Sequence, residues 1–152
     1  MPQPNLVNTL EIIIKPWQEA SQAAYFIRKQ VFIQEQGVPE HMELDEFDPT
    51  SKHALAYKGP LCVGTGRLVY LDNHHAQIGR MAVLSAFRNR GIGKAILSHL
   101  IALAKAEGVL TLTLHSQVSA IPFYIKYGFI TEGPIYDEAG ISHRNMMLLL
   151  PE

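Results

Sequence analysis

The sequence has a single cysteine, Cys62, so no disulfide can form within the chain and no cysteine-based metal cluster can be built. No apolar run approaches the roughly 18 residues needed to cross a bilayer. The start, "MPQPNLVNTLEIIIKPW", lacks the basic residues and long apolar stretch of a signal peptide. Neither charge is in excess: 13 Lys and Arg stand against 14 Asp and Glu, a net charge of −1, which argues against a dedicated nucleic-acid binder. There is no Gly/Ser linker, low-complexity tract or internal repeat. From these absences we expect a cytoplasmic protein with neither membrane nor nucleic acid as partner. The 152 residues, 47% of them hydrophobic, suit a single domain over 1–152 with one sizeable core.

Periodicity supplies the elements. Leu10 to Lys15 is β-branched and bounded by Pro16, which reads as a strand. Gln18 to Glu35 carries Ala20, Ala24, Ile27, Val31 and Phe32 on one face and reads as a helix stopped by Gly37 and Pro39. Glu40 to Lys52 is acidic and irregular. His53 to Tyr57, Cys62 to Tyr70 and Gln77 to Val83 form an antiparallel run turning at "KGP" and "DNHH". From Ile92, apolar residues at Ile96, Leu100 and Leu103 mark an amphipathic helix that Gly108 ends. Leu110 to Leu114 is a strand. Ala120 to Tyr127 is a short helix with Ser119 as its N-cap. Ile130 to Ile135 and Arg144 to Leu150 are the last strands. The order implies a mixed α/β sheet with helices packed on it.

The stretch "AVLSAFRNRGIGKAI" (82–96) joins a strand to the second long helix. It fails the Walker A pattern, because Arg88 stands where the first glycine belongs and Ala95 follows Lys94. It fails the dinucleotide pattern at Ile96, and Gly64/Gly66 fail it at Val69. What remains is R-x-x-G-x-G: Arg88, Gly91 and Gly93 before a helix N-terminus, with Arg90 and Lys94 adjoining. Free N–H groups, a helix dipole and close backbone approach at glycine suit a diphosphate. A solvated basic turn, with glycines for tight packing, fits the loop equally well.

At these residues the chain resembles the GNAT superfamily of acyl-CoA-dependent N-acyltransferases, whose signature is [QR]-x-x-G-x-[GA]. A second GNAT pattern, N-x-x-A-x-x-F-Y-x-x-x-G-F, is met by "QVSAIPFYIKYGF", with Ala120, Phe123, Tyr124, Gly128 and Phe129 in place and Gln117 in the asparagine position. A third block, Arg28 to Asp48 with His53 following, is similar to the ElaA-like branch. The resemblance implies an α+β GNAT fold: a mixed, mostly antiparallel sheet of six to seven strands, splayed at the cofactor site and flanked by helices. It implies acetyl-CoA as co-substrate and a small-molecule or peptide amine as acceptor. The pyrophosphate would lie on Arg88, Asn89, Arg90, Gly91, Ile92, Gly93 and Lys94. The pantetheine arm would pair with Met81, Ala82 and Val83, with Gln117 nearby. Pairing into a homodimer is also consistent with it, and the 146–150 strand could contribute.

Acetyl transfer to an amine needs a deprotonated amine, a donor for the oxyanion such as the Val83 N–H, and a proton for the leaving thiolate. Tyr124 is the candidate acid, or it orients the thioester, or it packs beside Phe123 and Phe129. The run Glu43, Asp45, Glu46, Asp48 is either a solvated face or an anionic mouth for a cationic amine. His53 and His143 each open a strand and are candidates for base or substrate contact. Glu35 and Gln36 end the first helix and are expected to meet substrate. His41, Glu43 and His53 match no zinc spacing, so no metal is expected. A non-catalytic acyl-CoA sensor and a scaffold that uses no nucleotide are the alternatives.

Overall fold

The computed structural model describes residues 9–152. A seven-stranded sheet has the order β1-β2-β3-β4-β5-β7-β6, numbered along the chain. The strands are β1 (Leu10–Pro16), β2 (Lys52–Lys58), β3 (Leu61–Tyr70), β4 (His75–Val83), β5 (Thr111–Gln117), β6 (Ile130–Glu138) and β7 (Ile141–Leu149). All neighbours are antiparallel except β4 and β5, and that parallel pair is joined by the crossover helix α3. This is the mixed, mostly antiparallel, helix-flanked sheet that the resemblance implies.

The helices are α1 (Trp17–Arg28), α2 (Glu40–Glu43), α3 (Ile92–Ala106) and α4 (Ile121–Ile125). Strand alternation sends the side chains of β2 to opposite layers. Leu55 meets Ala20 and Ala24 of α1, while Ala54 and Ala56 belong to the core built on Ile92, Ile96, Leu97 and Leu100 of α3. Strands β5 and β6 run on to Gln117 and Glu138, beyond the ends read from sequence, β4 starts two residues earlier, and three further boundaries differ. The first helix is α-helical only to Arg28 and continues from Lys29 to Glu35 as a π-helix, with Gln36 N–H donating to Val31 C=O at 3.0 Å. Each i→i−5 turn takes up one extra residue, a change that an apolar stripe read at α-helical phase does not reveal. Ser119 caps nothing: it lies inside a 3₁₀ turn, Val118–Ala120, and α4 starts one residue later than expected. The last strand starts at Ile141 rather than Arg144.

Gly64 and Gly66 on β3 let α3 lie close to the sheet. A Cβ on Gly66 would sit 2.6 Å from Met81 Sδ and 2.8 Å from Ile96 Cγ2. Opposite Gly66, β4 carries a bulge: Arg67 pairs with Gly79 and Thr65 with Ala82, so Arg80 and Met81 together face one residue. Arg80 takes the left-handed conformation, with φ 52°. β4 pairs with β5 only from His75 to Ile78. From Gly79, just before the bulge, the two strands part, which is the expected splay.

Gly66→Ala is expected to lower stability by about 1–3 kcal/mol through overpacking. Thermal unfolding followed by circular dichroism checks this; an unchanged Tm would contradict the packing account.

Candidate active site

The splay gives β4 a backbone edge with no strand beside it. Leu84 N–H donates to Val63 C=O on β3 at 2.9 Å, so by alternation the N–H and C=O of Val83 face away from β3. The Val83 carbonyl accepts from Arg88 Nε at 3.0 Å. A short 3₁₀ turn, Ser85–Phe87, leads into the glycine loop. Asn89 and Gly91 both have positive φ (63° and 80°), and α3 starts at Gly91 with no side-chain cap. The first-turn N–H groups therefore lack intrahelical partners and point outward with the positive end of the dipole. A Cβ on Gly91 would meet nothing within 4 Å, so the space above the loop is open. Arg90 and Lys94 are exposed beside it, and the Arg90 guanidinium lies 5.5 Å from the Phe87 ring centre. Gly93 packs near Val83 and Phe123, which ties the strand end, the loop and α4 together.

The π-helical end of the first helix spans the opening. Arg88 donates twice to Glu35, 2.6 Å for each bond, and this fork holds the Glu35 carboxyl below its ordinary range. Gln117, at the end of β5, donates through Nε2 to Gln36 Oε1 at 2.9 Å. Adjacent residues of one turn thus bind the loop after β4 and the end of β5. His143 on β7 is in register with Gln117. It is largely buried, with Nδ1 2.7 Å from Ile141 C=O and Nε2 3.5 Å from Glu138 Oε2. Tyr124 is 8% exposed and packed edge-on against Phe123 and Phe129. Burial pushes its phenol up to about 12, and its hydroxyl takes no hydrogen-bond partner among the described residues.

Glu43 and His53 lie elsewhere. Of the acidic run, Glu46 is exposed, while Glu43, Asp45 and Asp48 form neither a solvated face nor an anionic mouth. Three arginines that sequence reasoning did not single out neutralise them. Arg28 binds Glu43 through Nε and Asp48 through Nη1 at 2.8 Å. Arg67 binds Asp45 at 2.7 Å and Asp48 at 3.0 Å. Arg80 binds Asp45 at 3.1 Å. Arg28, Glu43, Asp48 and Arg67 are all buried, Glu43 to 2% exposure. Burial pushes the Asp48 carboxyl up, and the two guanidiniums more than reverse it, leaving it below its ordinary value. His53 is fully buried in the same layer, its ring centre 4.8 Å from that of Trp17 and tilted 43° to it, with Nε2 3.0 Å from Asp48 C=O. Its Nδ1 has no partner among the described residues, and because the ring is fully buried it reaches no solvent-borne amine. The readable signal was Arg28, which follows Ala20 and Ala24 at four-residue spacing on the buried face of α1. No group of three His, Cys, Asp or Glu side chains among the described residues is placed to hold a metal ion. No helix there is long and apolar enough to cross a membrane.

Residues 17–150 match the family model described as "Acetyltransferase (GNAT) domain". The uncharacterized N-acetyltransferase YjcF of Bacillus subtilis (strain 168) is 34% identical over 140 residues, 91% of this chain and 99% of that one. A Lactobacillus plantarum structure described as a candidate N-acetyltransferase superposes with a TM-score of 0.87 at 29% identity, covering 95% of this chain and 100% of that one. Escherichia coli ElaA superposes with a TM-score of 0.82 at 25% identity, covering 91% and 99%.

The buried layer dictates a pH response. Burial lowers the pKa of His53, so the folded state keeps the ring neutral where the unfolded chain takes up a proton. The stability this provides is present above the ordinary pKa of about 6.5 and is lost as pH falls below it. Asp45 and Asp48, also lowered, add a second loss below about pH 4. A plot of Tm against pH for His53→Gln, whose amide can still donate to Asp48 C=O, is expected to lose the first decline and keep the second. An identical profile in variant and wild type would contradict the buried neutral ring.

Proposed function

The chain belongs to the GNAT acetyltransferase family of acyl-CoA-dependent N-acyltransferases, and from that premise we propose that it transfers an acetyl group from acetyl-CoA to a primary amine of a small molecule or peptide by direct attack. The observation that carries this reading is the meeting of two features at one place in the sheet. β4 leaves β5 after Ile78, and an uncapped helix starts at Gly91 just beyond the end of that strand. The first is a slot lined by backbone hydrogen-bonding groups, and the second is an anion site.

When bound, acetyl-CoA supplies the thioester carbon that the amine attacks and the thiolate that leaves. The residues present fit it. Backbone N–H groups of Asn89, Arg90, Gly91, Ile92, Gly93 and Lys94 would hold the pyrophosphate, and the Arg90 and Lys94 side chains would add charge. Arg88, already paired with Glu35 and the Val83 carbonyl, fixes the loop against the strand end. Met81, Ala82 and Val83 form the strand edge along the pantetheine arm, with Gln117 on the opposite wall. The Val83 N–H would donate to the thioester carbonyl oxygen as negative charge develops there. Tyr124 stays protonated at neutral pH; its hydroxyl would give the departing sulfur a proton, and the proton that the amine loses on acylation would restore the phenol through solvent. Glu35, Gln36 and His143 stand around the same opening and would meet the acceptor. Glu43 and His53 take no part in that contact; they act through the ionic layer.

Acetyl-CoA at about one hundred times its Kd is expected to stabilise the protein by about 2.7 kcal/mol, read as a rise in Tm. Gly91→Asp, which puts a side chain and a negative charge at a left-handed helix start, is expected to abolish the rise. A full rise in that variant would overturn the pyrophosphate assignment, and no rise in wild type would favour a scaffold that uses no nucleotide. Tyr124→Phe is expected to keep acetyl-CoA binding and lower kcat by about 10²-fold or more, measured as thiol release across an amine panel. Binding without release for any amine in wild type would favour the sensor.

A further inference from the structure

We propose that Arg80 is a positioning residue that ties the acidic segment Glu40–Asp48 to the opening between β4 and β5, so that this segment sets how well acyl-CoA is held; the inference rests on reading that opening as the acyl-CoA groove. Arg80 lies in the bulge itself, one of the two residues opposite Gly66, and only two residues beyond the last β4–β5 pair, Ile78 with Leu114. Its positive φ is a conformation that a non-glycine residue keeps only where its surroundings hold it there.

Its own guanidinium supplies that hold. Nε donates to Glu43 C=O at 3.1 Å, and Nη2 donates to Met42 C=O at 3.4 Å and to Asp45 Oδ2 at 3.1 Å. Met42 and Glu43 end helix α2, so Arg80 satisfies carbonyls that the helix itself leaves open. The segment cannot drift with Arg80, because other elements bind it as well. Arg28 on α1 holds Glu43, through its carboxylate and, at 2.8 Å, its carbonyl; Arg67 on β3 holds Asp45 and Asp48. Three arginines from three elements thus grip one segment, and Arg80 alone of them stands on the splayed strand. Replacing it leaves the segment anchored and frees the bulge. β4 can then relax toward the ordinary strand path, which brings Met81 to Val83 out of the geometry that receives the pantetheine arm.

The test compares wild type with Arg80→Met and Arg80→Lys, and with Ala20→Gly as a remote destabilised control on the α1 face that packs on Leu55. Acetyl-CoA affinity is measured by calorimetry well below each Tm, and turnover by thiol release with an amine that wild type accepts. Arg80→Met is expected to raise the Kd and KM for acetyl-CoA by about tenfold or more, with kcat at saturation largely kept. Arg80→Lys keeps a cation for Asp45 but lacks the fork that reaches both carbonyls, so it should fall between the two. It carries the test alone if the methionine variant does not fold. Ala20→Gly should lower Tm and leave the Kd unchanged. A folded Arg80 variant with wild-type affinity would overturn the coupling, as would an equal loss of affinity in Ala20→Gly. Absence of binding by wild type would instead overturn the acyl-CoA reading, and the coupling with it.

Discussion

Five residues of β4, Gly79 to Val83, run on after the strand has stopped pairing with β5. Inside a sheet, an N–H or C=O without a partner is costly, so strands do not part without cause. The cause is packing. Gly66 leaves a space that Met81 and Ile96 fill, and the bulge at Arg80 turns β4 out of register with its neighbour. At the far end Val83 and Phe123 lie against Gly93, so the glycine loop is seated by the strand that parts. The slot for a long, amide-bearing ligand arm and the N–H cluster for its diphosphate are two ends of one distortion. A single strand that kept pairing would remove both.

The ionic layer on the other face of β4 answers a different physical demand. A buried carboxylate or guanidinium left alone is very unfavourable, whereas a neutral set with its hydrogen bonds made is tolerable. Arg28, Arg67 and Arg80 match Glu43, Asp45 and Asp48 one for one in charge, and Arg28 and Arg80 also take the Glu43 carbonyl. Three of the run's four carboxylates are matched in this way and only Glu46 is left exposed, so the run forms no anionic mouth. What the layer gives instead is a fixed platform, with neutral His53 and Trp17 packed within it. It joins the first helix, the segment after it and the splayed strand. Removing one member leaves the buried layer one charge out of balance, so such a layer favours one arrangement strongly over its alternatives.

The sheet, both long helices and the loop between β4 and α3 were legible because each rests on local signals: alternation, a 3.6-residue stripe, and glycine before a helix. The two patterns around Arg88 and Tyr124 gave the family, since their spacing follows from one strand–loop–helix unit and one short helix. The partners of those residues were not legible. Arg88 meets Glu35 and Gln117 meets Gln36 across 53 and 81 positions of chain, and only the completed sheet brings them together. The π-helical end that aims Glu35 and Gln36 escaped notice because Val31, Phe32 and Ile33 continue an apolar pattern whichever way the turn is wound. The acidic run misled because four acids in a row of exposed-looking residues carry no mark of the arginines that come to meet them. Arg28, on the same face as Ala20 and Ala24, and Arg67, within "VGTGRLV", were charges in buried phase and could have given that mark.

The central claim is that the free edge of β4 receives the arm of acyl-CoA while the start of α3 receives its diphosphate. Amide hydrogen exchange with and without acetyl-CoA addresses both at once. The account predicts slower exchange at Met81–Val83 and at 89–94 together, with β1 and β2 unaffected. Saturating ligand that left the amides of Met81–Val83 exchanging at their free rate would contradict it.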